Sequence, residues 1–262
     1  MMDILSDEAR SILDEVARER MLLAFDFDGT LAPIVDDRTA ARMRDSTRRL
    51  LRLASLFYPC AVVSGRSRSD LLPRVESIPL VAVVGNHGAE AGHGPVDRRA
   101  RSVVARWKPT ADAMLRGVEG IELEDKGLSL AIHYRRAASR EVAERAARDA
   151  ASALEGARVL GGHLVVNVVP LGEHDKGEAL ARVVSRAGVR GALYVGDDAT
   201  DEDAFRSHAV RVSVRVGRTD RSAATHFVAS QPDVDELLRA LVRARGHVHG
   251  FDRPVDRLER IF

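Results

Sequence analysis

Two aspartates, Asp26 and Asp28, stand where the apolar run Met21-Leu22-Leu23-Ala24-Phe25 gives way to Gly29-Thr30. Side chains alternate along a strand, so extended backbone carried one step further puts both carboxylates on one face. A buried strand that ends in charge places that charge at the carboxyl edge of a sheet, where open α/β folds keep their sites. Converging acids there serve a divalent metal, acid–base work, or both. Other apolar runs end in polar groups too. Cys60-Ala61-Val62-Val63 ends at Ser64, Leu80–Val84 at Gly85-Asn86-His87-Gly88, and Ala192–Val195 at Gly196-Asp197-Asp198. Lys176 opens a helical stretch, and it is one of only three lysines among 40 basic residues. In a chain that uses arginine so freely, a lysine marks a post that wants a compact ammonium. Acids, a hydroxyl and an ammonium on one sheet edge suit Mg²⁺ and a phosphate group. Mg²⁺ takes a few carboxylates and keeps positions for water and phosphate oxygens.

The elements that must position these groups follow from hydrophobic pattern. Strands are predicted at 21–26, 60–63, 80–84, 192–195, 210–214 and 226–229. Helices are predicted after Ser6-Asp7-Glu8 and at 39–57, 176–187, 200–207 and 233–245. Near-continuous Val/Ala/Leu runs separated by helices are what a parallel sheet covered on both faces requires. The pattern changes after about residue 100. Residues 128–134 partly alternate, a helix is expected at 139–154, and Gly161-Gly162 between two β-prone runs reads as a hairpin. The expected fold is α/β, a doubly wound, mostly parallel sheet with a small inserted α+β domain. The core is placed at 1–102 and 174–262, and the insert at 103–173. Trp107 is read as packing, and His163, His174 and His208 have no spacing that suggests a metal site.

Composition narrows the classes. The chain has 262 residues, 45% of them apolar, and 30% charged at net charge +1. That is ample for a packed core and gives no general reason to expect nucleic-acid binding. Cys60 is the only cysteine, which excludes an intrachain disulfide, and its apolar neighbours predict a buried thiol. The start, Met1-Met2-Asp3-Ile4-Leu5-Ser6-Asp7, lacks the basic and apolar regions of a signal peptide. No run approaches the roughly 20 apolar residues of a membrane span. A cytoplasmic monomer with no membrane partner is expected.

The combination resembles the haloacid dehalogenase (HAD) superfamily of aspartyl-phosphate phosphatases. Asp26-Phe27-Asp28-Gly29-Thr30, Ser64, Lys176 and Gly196-Asp197-Asp198 with Asp201 carry the likeness. The resemblance implies Asp26 as nucleophile and Asp28 as the acid, then base. Ser64 and Lys176 would hold the phosphoryl oxygens. The implied Mg²⁺ ligands are Asp26, Asp28 through its carbonyl, Asp197, and Asp198 directly or through water. A narrower resemblance, to trehalose-6-phosphate phosphatases, covers nearly the whole chain. It rests on Val63-Ser64-Gly65-Arg66, His87-Gly88-Ala89-Glu90, the run from Glu122 to Arg135, and the run from Tyr194 to Phe205. In that family the insert is a cap that grips sugar hydroxyls, which implies Glu124 and Lys126 here. Thr30, Arg66 and His87 complete the implied substrate set. Asn167 stands where the family commonly has a third cap carboxylate. An amide lacks charged acceptors, and charge-assisted bonds are the stronger ones. The resemblance thus implies trehalose 6-phosphate or a related sugar phosphate as substrate, Mg²⁺ as cofactor, and a trehalose-phosphate synthase as the partner such domains can have. A regulatory module without catalysis is the alternative.

Overall fold

A computed structural model of the chain describes residues 1–91, 97–172 and 175–248. Its strands are β1 (Met2–Asp3), β2 (Met21–Phe25), β3 (Cys60–Val63), β4 (Ala82–Val84), β5 (Glu122–Asp125), β6 (Leu130–His133), β7 (Ala157–Gly162), β8 (Val165–Pro170), β9 (Gly191–Gly196), β10 (Val210–Val216) and β11 (His226–Val228). Its helices are α1 (Arg10–Arg18), α2 (Asp45–Ala54), α3 (Arg68–Arg74), α4 (Arg98–Leu115), α5 (Arg140–Ser152), α6 (Lys176–Ala187), α7 (Glu202–Phe205) and α8 (Asp233–Val248). Among the described residues, no helix is long and apolar enough to cross a membrane.

Seven strands pair in parallel in the order β1-β11-β10-β9-β2-β3-β4. From β2 the chain moves outward to β3 and β4, then returns to β9 on the opposite side of β2. Such a reversal opens a crevice beyond the carboxyl ends of the strands. Asp26 follows β2 and Asp197 follows β9, so both stand at its mouth. Met21, Leu23 and Phe25 pack into a cluster with Val16, Leu50 and Leu238 of α1, α2 and α8. Leu22 and Ala24 pack instead with Leu180 and Val183 of α6 and with Phe205. Burial on both faces explains why β2 is apolar throughout. The same alternation sends Asp26 to the α6 side.

The insert has its own antiparallel sheet, ordered β5-β6-β8-β7, and its own core. Trp107 and Ala111 of α4 and Ala147 of α5 pack on Leu130, Ile132, Val166 and Val168. Alternation then turns Glu122, Glu124, His133 and Asn167 to the opposite face. Register aligns Glu124, Ala131 and Asn167 in one row, and Glu122, His133 and Val165 in the next.

Several elements depart from the sequence reading. The predicted helix at 39–57 is confined to Asp45–Ala54, and before it Arg38–Ala40 forms a 3-10 turn capped by Asp37. Gly161 and Gly162 stay within β7, and the hairpin turns at His163-Leu164, with Leu164 at φ 59°. A Cβ on Gly162 would lie 2.8 Å from Val165 Cγ1, so this glycine serves close approach rather than the turn. Helix α4 begins at Arg98, ahead of the boundary placed at residue 103. The boundary between 173 and 174, and His174 itself, lie outside the described residues.

Candidate active site

The floor of the crevice is built on Asp201. Its side chain is fully buried. Oδ1 accepts from Lys176 Nζ at 2.7 Å and from Tyr194 Oη at 2.6 Å. Oδ2 accepts from the backbone N–H groups of Asp197 and Asp198 at 2.9 and 3.1 Å. Lys176 is the first residue of α6, whose N-cap is Asp175, accepting from Glu178 N at 2.8 Å. Burial alone would lower the Lys176 pKa, but Asp201 and Asp26 outweigh it and hold the ammonium protonated. Burial and Asp201 likewise push the Tyr194 hydroxyl well above its ordinary value, so it stays a donor.

Asp26 is the group this floor leaves short. Lys176 Nζ lies 3.2 Å from its Oδ1, yet that oxygen has no aligned hydrogen-bond donor among the described residues. Asp26, Asp197 and Asp201 each have an oxygen within 4.8 Å of the others, and since those of Asp201 are already bonded, Asp26 and Asp197 are the acids left to take a ligand. Burial, with repulsion from neighbouring carboxylates, raises both Asp26 and Asp197 well above the carboxylate range despite Lys176. A crowd of buried acids with an orphaned oxygen is a donor set that fits a small divalent cation. Gly29 makes the approach feasible. It has φ 75°, and a Cβ there would sit 2.1 Å from Asp197 Oδ2.

Asp28, on the same cavity wall, has a different partner. Its carboxylate takes a two-pronged bond from Arg66, Nε at 2.6 Å and Nη2 at 2.7 Å. Arg66 is braced in turn by Asp70 at 2.6 Å, and its Nη2 also donates to Arg38 O at 2.8 Å. The Asp28 side chain is 38% exposed against 8% for Asp26. The two acids therefore have different access to water. Asp198 Oδ1 is taken by Thr200 N and Oγ1 at 2.6 and 2.7 Å, in a capping box with Asp201.

The insert's polar face forms the roof. Lys126 Nζ donates to Gly65 O at 2.9 Å, and Asn86 Nδ2 donates to Lys126 O at 3.2 Å while Ser129 Oγ donates to Asn86 Oδ1 at 2.7 Å. Asn86 and His87 both hold left-handed φ, 48° and 54°, a strained pair at a strand end. The His87 ring is buried with neither nitrogen bonded among the described residues. Burial, Lys126 and Lys176 keep it neutral. Glu124 binds Arg38 and accepts from His133 Nε2 at 2.9 Å. Burial would raise the Glu124 carboxyl, but His133, Lys126 and Arg38 hold it down to about 2. Arg158 of β7 ties the insert to the core with bonds of 2.7 and 2.8 Å to Asp203.

Between floor and roof lies a cavity of about 390 Å³, the size of a small-molecule site. Asp26, Asp28, Ser64, Arg66, His87, Glu124, Lys126, Asn167, Asp197 and Asp198 line it. Thr30 and Lys176 do not reach the wall. Thr30 Oγ1 approaches Asp197 Oδ1 at 3.4 Å, and Lys176 stands behind Asp26. Sequence reasoning placed Asn86 only within the polar strand end Gly85–Gly88 and missed Tyr194, Arg38 and His133 as parts of the site. Of the three missed, Tyr194 left a local signal, a hydroxyl inside an otherwise apolar strand.

A family model described as Trehalose-phosphatase matches residues 24–232. A trehalose-phosphate phosphatase of Mycobacterium avium is 36% identical over 240 residues, covering 84% of this chain. The chain spans 61% of that relative's length. The C-terminal domain of Candida albicans trehalose-6-phosphate phosphatase superposes with TM-score 0.75 at 23% identity, covering 89% of this chain and 96% of that one. A HAD subclass IIB sugar phosphatase superposes with TM-score 0.56 at 15% identity, covering 87% of this chain and 99% of that one. These likenesses establish the HAD-type fold, and with the family model matching most of its length, the chain belongs to the trehalose-phosphatase family.

Proposed function

We propose that the protein is a Mg²⁺-dependent phosphatase that hydrolyses trehalose 6-phosphate to trehalose and phosphate. The observation that carries this reading is the shared cavity, where the under-bonded Asp26 faces an insert bearing Glu124, Lys126 and Asn167. Asp28 first takes a proton from water in exchange for an Arg66 bond; Asp26 attacks phosphorus, the bond from phosphorus to the sugar oxygen breaks, and Asp28 gives that proton to the oxygen. Water then attacks the aspartyl-phosphate, Asp28 takes the water's proton, and phosphate leaves with the Asp26 carboxylate restored. The partial exposure of Asp28 suits an exchange with water, and Arg66 fixes its direction. Ser64 faces the phosphoryl oxygens from the cavity wall, and Lys176, behind Asp26, offsets their charge from below. Asp26, Asp197 and the main chain of Asp28 would hold Mg²⁺, with Asp198 supporting. Bound there, Mg²⁺ would neutralise the crowded carboxylates and polarise the phosphoryl group. Thr30 supports Asp197, and His87 offers a neutral ring to the ligand.

The insert acts as the cap that selects the sugar. Glu124 and Lys126 bind hydroxyls, while Asn167 offers one uncharged acceptor where a carboxylate would hold more strongly. The test is phosphate release with and without Mg²⁺ across trehalose 6-phosphate, glucose 6-phosphate and sucrose 6-phosphate. Mg²⁺-dependent release from trehalose 6-phosphate is expected, with Asp26→Asn slower by about four orders of magnitude. Near-normal turnover by Asp26→Asn would end the mechanism, and a preference for another sugar would move the substrate while keeping the chemistry.

A further inference from the structure

We infer that Arg38 is a specificity-determining residue, which positions Glu124 to accept sugar hydroxyls; the inference rests on the phosphatase reading above. Arg38 belongs to the core but serves the insert. It sits in the 3-10 turn that Asp37 caps, accepting from Thr39 N at 2.9 Å. Arg74 of α3 pins the same turn by donating to Ala41 O at 2.5 Å. From this fixed base the guanidinium reaches across the cavity. One end-nitrogen binds Glu124, and the other lies 3.3 Å from Glu122 Oε1. Glu122 and Glu124 are two apart on β5, so they share a face and one planar fork can straddle both. His133 holds the second oxygen of Glu124.

The bond count matters. An ionised carboxylate has about four acceptor sites, and Arg38 and His133 use two, leaving about two for hydroxyls. Glu124 is thus aimed and kept charged before a sugar arrives, a preorganised acceptor. The main chain of Arg38 does a separate job. Its carbonyl accepts from Arg66, which holds Asp28. Truncating the side chain removes the grip on Glu124 and leaves that carbonyl in place. The sugar and the chemistry should therefore respond differently.

The experiment is steady-state kinetics of Arg38→Ala, Glu124→Gln and the double variant. Trehalose 6-phosphate is compared with p-nitrophenyl phosphate, which has no sugar. Arg38→Ala should raise KM for the sugar phosphate about tenfold, the factor carried by one charge-assisted contact, while kcat falls less than about threefold. The KM rise on the aryl phosphate should be several-fold smaller. On the Glu124→Gln background, Arg38→Ala should add less than about twofold. Arg38→Lys, whose single ammonium cannot fork, should fall between. Equal losses on both substrates, or a full loss on the Glu124→Gln background, would overturn the inference. Absence of sugar-phosphate turnover in the unaltered protein would remove the phosphatase reading and this inference together, before any variant is compared.

Discussion

The floor and the roof of the cavity are built by opposite rules. On the floor, Lys176, Tyr194 and Asp201 are buried and bonded to one another, and every acceptor of Asp201 is in use. Those contacts tie β9 and the turn that follows it to the first residue of α6. On the roof, Glu124, Lys126 and Arg38 are partly exposed, and their partners come from another part of the chain. The floor is fixed when the parallel sheet folds. The roof takes shape only where the insert meets the core, through Arg38 on Glu124 and Lys126 on Gly65.

The strongest way to break this comparison is at Asp201. Asp201→Asn removes a buried anion that faces a buried ammonium and two backbone donors. Breaking a buried pair from one side costs about 3 kcal/mol or more, so the melting temperature should fall by roughly 10 °C. Turnover should fall by about a hundredfold, since Lys176 and the Asp197 loop lose their common anchor. Thermal denaturation and kcat on the same preparation check both. A variant that melts within a degree of the parent would mean the floor is not the rigid half.

Asn167→Glu sharpens the comparison from the roof. Asn167 lies on the Glu124 row, against the His87 ring, and is 5% exposed. A carboxylate there supplies a charged acceptor. That contact is worth about 1 kcal/mol over a neutral one, so KM for trehalose 6-phosphate should fall about fivefold, while the buried carboxylate lowers the melting temperature of the free protein by a few degrees. A large loss of thermal stability without a change in KM would assign Asn167 to the packing of the insert.

How much of this was legible in sequence follows the same division. β2, β3 and β9 were readable because burial on both faces writes an unbroken apolar run. Their polar ends, Asp26, Ser64 and Asp197, then pointed to one edge. Lys176 stood out by its rarity in an arginine-rich chain. The roof left weaker traces. Whether Asn167 faces ligand or core depends on register across β8, and the Gly161-Gly162 pair pointed to the wrong turn residues. Arg38 was illegible, since its role depends on meeting β5, 84 positions away in the case of Glu122. The short β1 was missed because two residues paired at a sheet edge carry no period.

The smallest expected effect concerns the charge on Glu124. Its carboxyl sits at about 2, against an ordinary 4.5, because His133, Lys126 and Arg38 overcome the cost of burial. An acid whose folded pKa is depressed contributes stability that is complete above the ordinary value. That stability is lost as pH falls through the folded value. The parent and Glu124→Gln should therefore differ in denaturation midpoint at pH 7 and converge between about pH 4.5 and pH 2. The pair with Arg38 is partly exposed and solvent screens it, so the difference at pH 7 should be about 1 kcal/mol or less, one or two degrees. Midpoints measured at pH 7, 5 and 3 decide it. A gap that is undiminished at pH 3 would mean Glu124 acts through packing, and the contrast between a charge-held roof and a buried floor would lose its electrostatic half.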